Sequence, residues 1–201
     1  FIEVLEGLKK YKRDIGWGTL GIRADTLVKL SDEQWGLLYD SGCHSLEIGI
    51  ESGNERVIKL VNKAETLDEM RQANLKLAEY DIKVKYTMIV GFPGESDKDF
   101  GATLALASEF GFIQAYSFKY SPRPGTPAAA MADQVPDAVK AERLAALQDI
   151  LNASQRAFNK ASEGRVMTVL FDRAGRKPGQ LVGRSPYMQP VHAMAPDSLM
   201  G

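Results

Sequence analysis

The stretch Lys83-Val-Lys-Tyr-Thr-Met-Ile-Val90, followed at once by Gly91-Phe-Pro-Gly-Glu95, decides the fold. Its first part alternates between polar and apolar residues and then runs apolar, which is typical of a strand buried in a parallel sheet. Two glycines and a proline then predict a tight turn, and residues 97–110 have helical spacing. A buried strand that leads through a turn into a helix is the repeating unit of an α/β fold.

Helical and strand-like stretches alternate along residues 1–120. Their apolar spacing predicts helices over residues 1–12, 31–42, 66–80 and 97–110, and strands over residues 17–22, 45–50, 83–90 and 116–120. Ser31 has a side chain suited to an N-cap, and Gly42 suits a helix end. This order implies parallel strands with helical crossovers, as in part of a (βα) barrel or in a doubly wound sheet.

The pattern changes after residue 120. The segment Tyr116-Ser-Phe-Lys-Tyr-Ser-Pro-Arg-Pro-Gly-Thr-Pro-Ala128 contains three prolines, which fix φ and predict a rigid, extended connector. A helix is expected from Ala138 to about Glu163, with an apolar stripe to pack against the barrel wall (Leu144, Leu147, Leu151 and Phe158). Three short apolar runs then predict the strands of a small β-barrel (residues 166–171, 180–183 and 191–194).

The composition is that of an ordinary globular protein. The chain has 201 residues, of which 44% are hydrophobic and 25% charged. No apolar run approaches the roughly 20 residues of a membrane span, and the N-terminus does not resemble a signal peptide. The chain opens on Phe1 without an initiator methionine, so we expect the true start to lie elsewhere. A single cysteine, Cys43, rules out an intrachain disulfide and suits a reducing cytoplasm.

The net charge of −1 hides an asymmetry. Residues 1–159 carry 19 basic and 23 acidic side chains, whereas residues 160–201 carry 6 basic and 3 acidic ones. The excess of positive charge on this last part of the chain favours an anionic partner.

Notable residues follow three of the predicted strands. Arg23 and Asp25 follow the first strand, Glu51-Ser52-Gly53-Asn54 follows the second, and the Gly91–Glu95 turn follows the third. Because ligands gather at the carboxyl ends of strands in barrels and open α/β sheets, these residues are candidates for a binding site. A turn with two glycines also lets its backbone approach a flat ligand closely.

Together, three segments of the chain resemble the radical S-adenosylmethionine (SAM) superfamily. They are Gly21-Ile-Arg-Ala-Asp25, Ile48-Gly-Ile-Glu-Ser-Gly53 and Met88-Ile-Val-Gly-Phe-Pro-Gly-Glu95, and they are most similar to the branch that often carries a cobalamin-binding domain. The resemblance implies that Glu51 and Ser52 contact the ribose or methionine part of SAM. It also implies that the backbone around Ile89, Val90 and Gly91 holds the adenine.

The later part of the chain resembles the bacterial tRNA methylthiotransferases that act on isopentenyl-adenosine (MiaB type). The matching segments are Gly111-Phe112, residues 114–127, Asp133-Gln-Val-Pro136 and Gly179-Gln-Leu-Val-Gly-Arg-Ser-Pro-Tyr187, the last similar to the TRAM domain, a small β-barrel that binds tRNA. Five basic residues are then candidates for phosphate contacts in tRNA (Arg165, Arg173, Arg176, Lys177 and Arg184). Tyr187 is a candidate for stacking on a base.

The chain departs from these families at two points. The methylthiotransferases usually show Gln-Ser-Gly where this chain has Glu51-Ser52-Gly53, so its halves resemble different subfamilies, with a seam within residues 88–111. The triad Cys-x3-Cys-x2-Cys, whose thiolates hold the 4Fe–4S cluster of the parent enzyme, is absent. We therefore expect no metal site in this chain and interpret Cys43 as a buried structural thiol.

These observations give one expected organisation. Residues 1–130 would be the C-terminal part of a radical SAM barrel, residues 131–163 a connecting helix that packs on it, and residues 164–201 an incomplete TRAM-like domain. The resemblance implies SAM as cofactor, tRNA as partner and the addition of a methylthio group to isopentenyl-adenosine in tRNA. Two alternatives stay open: a cobalamin-dependent radical SAM methylase or cyclase, and a non-catalytic RNA-binding remnant. The sequence leaves the oligomeric state open.

Overall fold

The computed structural model describes residues 1–10 and 16–201. The chain divides into two compact units, Phe1–Arg156 and Ala157–Gly201. The last two residues of the first predicted helix, residues 11 and 12, lie outside the described residues. In the described ranges, no helix combines the length and the hydropathy needed to cross a bilayer.

The first unit is built on a sheet of four parallel strands in the order β1-β2-β3-β4. The strands are β1 (Trp17–Thr19), β2 (Cys43–Glu51), β3 (Lys83–Val90) and β4 (Ala115–Lys119). The helices are α1 (Ile2–Lys10), α2 (Ala24–Leu27), α3 (Asp32–Asp40), α4 (Glu55–Leu60), α5 (Leu67–Glu79), α6 (Asp97–Phe110) and α7 (Asp137–Ala161), and a short 3-10 helix spans Pro127–Ala130. The alternating α/β order expected from the sequence is therefore confirmed.

The first strand is shorter than the predicted 17–22. It ends at Thr19 because Gly21 adopts a φ of 132°, which no extended strand can accommodate. Leu20, which the pattern placed inside the strand, is 88% exposed.

Three of the helices begin with reciprocal capping boxes. Ser31 accepts from the backbone N–H of Gln34, whose side chain accepts from the Ser31 N–H in return. Thr66 and Ser96 do the same at the starts of α5 and α6. Each box satisfies two backbone donors that the first turn of a helix leaves free, so these residues fix where the crossover helices begin.

The two faces of the sheet differ in burial. The side chains that point to one face of β2 and β3 are buried in the core with residues of the crossover helices (Leu46, Ile48, Ile50, Tyr86, Met88 and Val90). Their neighbours in sequence, among them Glu47 and Lys85, are half-buried, and these two residues are cross-strand partners. This difference between the faces accounts for the sequence of β3, in which polar and apolar residues alternate before an apolar end.

Helix α7 packs on the same core through Leu147 and Leu151, as its apolar stripe predicts. Phe158, which the pattern placed on the same stripe, belongs to the second unit, where its ring centroid lies 4.9 Å from that of Tyr187.

The second unit contains an antiparallel sheet in the order β5-β6-β7, built from β5 (Leu170–Ala174), β6 (Gln180–Arg184) and β7 (Pro190–Met194). Leu181 and Val182 are buried in it. The second and third strands lie within one residue of their predicted bounds. The first was predicted too early: Val166 is fully exposed and lies before the strand, which begins at Leu170.

Candidate functional site

The carboxyl ends of β2, β3 and β4 lie together at one edge of the parallel sheet. Glu51 ends β2 and has Met88 of β3 as its partner, and Val90 ends β3 opposite Lys119 of β4. In parallel α/β sheets this edge is where ligands bind. The candidate residues that follow the second and third strands therefore share one edge.

Glu51 has an unusual backbone conformation. Its φ is 62°, and the register with β3 shifts between Gly49 and Glu51, so the strand ends in a bulge. A non-glycine residue in the left-handed region costs free energy, and strained residues of this kind cluster at functional sites. The strain turns the Glu51 carboxylate towards Lys63, whose Nζ lies 3.3 Å from Oε1.

Lys63 connects two carboxylates. Its ammonium lies 3.3 Å from Glu51 Oε1 and 3.2 Å from Oε2 of Glu65, whose side chain is completely buried. Neither oxygen of Glu65 receives a hydrogen bond, and its polar neighbours are the ammonium of Lys63 and the Nε of Arg23, which lies 3.7 Å from Oε1. The group presents a cation and a half-buried carboxylate side by side, which suits a zwitterionic ligand that carries both an ammonium and a carboxylate.

Arg23 fixes the backbone on which Lys63 is carried. Its two terminal nitrogens donate to the carbonyls of Lys63, at 3.1 Å, and Ala64, at 3.0 Å. Ala64 itself is left-handed, with a φ of 52°. Arg23 Nε also donates to Asp25 at 2.8 Å, and this hydrogen bond lowers the pKa of the Asp25 carboxyl to about 2. The two residues that follow the first strand thus hold the Lys63 segment in place.

Ser52 points away from this edge. It is completely buried, and its hydroxyl lies 3.2 Å from Oγ1 of Thr103 in α6 and accepts from the N–H of Asn54. The next residue must be glycine, because a Cβ on Gly53 would lie 2.6 Å from the Cα of Thr103. Ser52 and Gly53 therefore attach the β2–α4 loop to α6, and Glu51 is the member of this segment that is left at the edge.

Two backbone polar groups at the end of β3 are hydrogen-bonded inside the protein. The carbonyl of Val90 accepts from the N–H of Tyr120 at 2.8 Å, and the N–H of Gly91 donates to Glu95 Oε2 at 2.7 Å. Gly91 has a φ of 80°, and a Cβ there would lie 2.2 Å from Cγ of Lys140. Of the three residues expected to hold adenine, Ile89 is the one whose side chain lines a cavity.

Glu95 and Arg143 lock this turn onto α7. Arg143 Nη1 donates to Glu95 Oε2 at 2.8 Å and to the Glu95 carbonyl at 3.1 Å, and Nη2 donates to Asp97 at 2.7 Å. Burial raises the pKa of the Glu95 carboxyl, and the hydrogen bonds from Gly91 and Arg143 oppose that rise. The turn is thereby held from both ends.

A cavity of about 780 Å³ opens at the ends of β3 and β4. Its wall is mainly apolar and aromatic, and two of its lining residues are cations (Leu60, Ile89, Phe92, Phe118, Tyr120 and Met131, with Lys119 and Arg123). This volume lies in the range of pockets that hold cofactors and other small ligands, and an apolar wall with a few polar groups is their usual lining.

The residues of this chain do not fit a 4Fe–4S cluster. Cys43 is the single cysteine of the sequence, and its burial raises the pKa of its thiol to about 11, which disfavours the thiolate that iron requires. In the described ranges, no group of three or more His, Cys, Asp and Glu side chains is arranged to hold a metal ion.

The basic residues of the second unit lie at different places on its sheet. Arg173 is on β5, and Arg176 and Lys177 are in the turn to β6; all three are exposed. Arg184 lies at the opposite end of β6, opposite Leu170, and donates to the carbonyl of Met188. The exposed Arg165 precedes β5. The turn between β5 and β6 is thus the one place where three of the five candidates are close in the chain.

Three residues of this region, Lys63, Lys140 and Arg143, could not be recognised as candidates from the chemistry of their own motifs. A signal existed for the last two, because in the predicted helix they occupy the same stripe as Leu147 and Leu151, and charged residues on an apolar stripe indicate buried ion pairs. Lys63 follows a short helix that the apolar pattern did not predict, so only the fold reveals its position beside Glu51.

Comparison with known families gives one match in sequence. The model of the radical SAM superfamily matches residues 1–107, which is more than half of the chain.

Solved structures with a similar fold include the following three proteins. Coproporphyrinogen III oxidase (HemN) from Escherichia coli, described as a radical SAM enzyme, matches with a TM-score of 0.63 and 18% identity, over 76% of this chain and 36% of its own. Elp3 from the archaeon Methanocaldococcus infernus matches with a TM-score of 0.56 and 12% identity, over 89% of this chain and 55% of its own. The radical SAM methyltransferase TsrM from Kitasatospora setae, with cobalamin and a 4Fe–4S cluster bound, matches with a TM-score of 0.54 and 12% identity, over 64% of this chain and 26% of its own.

At these identities the likeness shows the fold alone. The chain spans between about a quarter and about half of the length of each of these three proteins.

Proposed function

The chain belongs to the radical SAM superfamily, and from that premise we propose that it binds SAM at the carboxyl edge of its sheet and serves a methylthiotransferase that acts on isopentenyl-adenosine in tRNA. The single observation that carries the SAM part is the Glu51–Lys63 pair at the edge of the sheet where an apolar cavity opens, a cavity lined by Asn62, the residue directly before Lys63.

SAM joins an adenosine to a zwitterionic methionine, and the two parts need different surroundings. An apolar wall formed by Ile89 and Phe92 suits the flat face of adenine. The Lys63 ammonium suits the methionine carboxylate, and the Glu51 carboxylate suits the methionine ammonium or a ribose hydroxyl. Because the Val90 carbonyl and the Gly91 N–H are already hydrogen-bonded, we assign the adenine contact to the side chains of this segment.

In this superfamily a 4Fe–4S cluster supplies the electron that cleaves SAM. The residues of this chain do not fit that cluster, so the share that we propose for them is to bind and orient SAM and substrate. Lys63 and Glu51 would hold the methionine end in one orientation, and the strained backbone at Glu51 fixes the direction of its carboxylate in advance.

The proposed tRNA contact rests on the second unit. Its sequence resembles the TRAM domain, and the end of β5 with the turn that follows it presents the exposed side chains of Arg173, Arg176 and Lys177. Exposed cations on a short turn suit the phosphates of a nucleic acid and carry no sequence specificity.

A cobalamin-dependent methylase or cyclase is the second candidate. The observation that favours it is the segment Glu51-Ser52-Gly53, which resembles that branch of the superfamily more than the Gln-Ser-Gly of the methylthiotransferases. A chain of that type would work together with a corrinoid.

The test is a titration of the chain with S-adenosylhomocysteine, a stable product analogue, followed by isothermal titration calorimetry. Wild-type protein should bind it, and Lys63→Met and Glu51→Gln should each weaken binding by about tenfold, because each removes one charge-assisted contact. Lys59→Met, which changes an exposed lysine on the nearby helix α4, is the matched control and should leave binding unchanged.

The outcomes separate the candidates. A folded wild-type chain that does not bind S-adenosylhomocysteine overturns the SAM site, and if it binds tRNA it is an RNA-binding remnant. Binding of cobalamin by the same preparation favours the cobalamin-dependent alternative.

A further inference from the structure

The cavity at the ends of β3 and β4 has an apolar wall and a basic rim. Two charged residues line it, Lys119 and Arg123, and both are cations. Phe118 and Tyr120 lie directly before and after Lys119, the last residue of β4, and they line the same cavity. Aromatic rings next to cations are the surroundings in which proteins bind the bases and phosphates of single-stranded nucleic acid.

Arg123 is presented by a rigid backbone. It lies between Pro122 and Pro124, each of which fixes its own φ and restricts the residue before it. The carbonyl of Arg123 accepts two hydrogen bonds from Thr126, one from its N–H at 3.2 Å and one from its hydroxyl at 2.8 Å. A side chain on a backbone that is already ordered loses less entropy when it binds a ligand.

The positive charge on this rim is not neutralised within the protein. The guanidinium of Arg123 is exposed and has no ion-pair partner among residues 1–10 and 16–201. Lys119 Nζ lies 3.5 Å from Asp137, but the other oxygen of that carboxylate lies 2.8 Å from the ammonium of Lys140. One carboxylate thus serves two lysines, and the rim keeps a net positive charge.

We propose that Lys119 and Arg123 form a phosphate subsite for the RNA nucleotide whose base enters this cavity. The inference rests on the proposed function and adds a subsite to it: two named cations that bind the phosphates next to the base. Phosphate is the anion to expect, because the phosphates of a nucleotide lie close to its base, which would stack on Phe118 or Tyr120. A guanidinium can also donate two parallel hydrogen bonds to two oxygens of one phosphate. The volume of 780 Å³ leaves room for a base beside the adenine of SAM.

The test compares two short single-stranded RNAs, each with one adenosine among uridines. In the second RNA the phosphates on both sides of the adenosine are replaced by neutral methylphosphonates. Fluorescence anisotropy with the full chain measures both affinities for wild type, Arg123→Ala, Lys119→Ala and the control Lys98→Ala, which removes an exposed lysine on α6.

Wild type and Lys98→Ala should bind the neutralised RNA about tenfold more weakly, because a charge-assisted contact is lost. Arg123→Ala should bind both RNAs equally, within about twofold, and Lys119→Ala should lose part of the difference. Equal binding of the two RNAs by wild type, an undiminished difference in Arg123→Ala, or no binding of either RNA by wild type would each overturn the subsite.

A parallel titration with S-adenosylhomocysteine separates this inference from the proposed function. Binding of that compound by a chain that ignores the neutralised phosphates overturns the subsite and leaves the SAM site standing. A chain that discriminates between the RNAs but does not bind the compound overturns the SAM site and leaves the phosphate subsite standing. Arg123→Ala should bind the compound as wild type does, and a parallel loss would show that the variant disturbs the fold and would overturn a specific phosphate contact.

Discussion

Arg143 and Glu95 lie 48 residues apart in the chain and form a buried ion pair, with Nη1 2.8 Å from Oε2. The Glu95 side chain is completely buried and that of Arg143 is 7% exposed. Glu95 also accepts the N–H of Gly91, so the pair ties α7 to the turn that follows β3. A pair in such surroundings adds little as a pair, but either member is costly to bury alone.

We therefore expect Arg143→Ala to lower the free energy of unfolding by about 3–5 kcal/mol, because it leaves the Glu95 carboxylate buried without a counter-charge. Urea unfolding followed by circular dichroism measures the change. Arg71→Ala is the matched control, since it breaks an exposed pair with Glu109, and its midpoint should stay close to that of wild type. Equal losses in the two variants would contradict the importance of burial here.

Asp99 makes stability depend on pH. Its carboxylate accepts from Arg56 and from Ser96, and the hydrogen bond from Arg56 in particular holds its pKa well below the ordinary 3.8. The unfolded chain then takes up the proton first, so this contribution is complete above about pH 4 and is lost as the pH falls further.

Asp99→Asn should accordingly cost about 1–2 kcal/mol at neutral pH, and its difference from wild type should shrink between about pH 4 and pH 2. Guanidinium unfolding at a series of pH values measures this difference. Glu95, whose pKa is raised, changes stability with pH in the direction opposite to that of Asp99. The test therefore compares the free energy of unfolding of the variant with that of wild type at each pH, so that the contribution of Glu95 cancels. A difference that is constant with pH would contradict the assignment to Asp99.

Two glycines test how closely the chain packs against α6: Gly53 lies against this helix, and Gly101 lies within it. A Cβ at Gly53 would lie 2.6 Å from Thr103 Cα, whereas a Cβ at Gly101, within α6, would meet no atom within 4 Å. Gly53→Ala should lower the free energy of unfolding by about 1–3 kcal/mol through overpacking. Gly101→Ala should raise it by up to about 1 kcal/mol, because alanine loses less backbone entropy in a helix. Thermal denaturation of both variants checks the opposite signs.

Cys43 should react slowly. With the pKa of its thiol raised from 9.0 to about 11, the reactive thiolate near pH 8 should be about a hundredfold scarcer than in an ordinary cysteine. Ellman's reagent should modify the native chain at least that much more slowly than the chain unfolded in guanidinium chloride. A fast reaction of the native chain would show that the thiol is accessible and ionised.

The β5–β6 turn should set the salt dependence of RNA binding. If Arg173, Arg176 and Lys177 each contact a phosphate, changing all three to alanine should flatten the slope of log affinity against log salt by about 2. All tRNAs should be weakened alike, because phosphates carry no sequence information. Filter binding at several salt concentrations measures the slope, and Lys98→Ala should leave it unchanged. A slope that the triple change does not alter would contradict the proposed tRNA contact of the second unit.

Much of the fold could be predicted because the chain marks its elements locally. Ser31 carries its cap signal within a few residues, and β3 carries its burial pattern in its own sequence. The signals at Leu20 and Val166 failed because apolar character alone does not reveal where a strand loses its partners: Gly21 turns the chain out of β1, and Val166 precedes the residues that pair with β6.

The candidate site was less predictable, because it depends on contacts between distant residues. The sequence identified Glu51 at a strand end but gave no sign of Lys63 beside it, and it did not reveal that the Ser52 hydroxyl lies 3.2 Å from Oγ1 of Thr103 inside the protein. Whether a polar side chain at a strand end faces a cavity or the next helix is decided by the backbone direction at that residue, which for Glu51 is a left-handed φ that no local pattern announces.

The separation of Glu95 from Arg143 also has a consequence for the newly made chain. At about 5–20 residues per second, a ribosome needs roughly 2–10 s to add the 48 residues between them. During that interval β4, the last strand of the first sheet, is also synthesised, yet Arg143 of α7, the partner of the Glu95 carboxylate, has still to be added. The nascent protein must keep the Gly91–Glu95 turn open to water, or hold Glu95 protonated, until its seventh helix emerges.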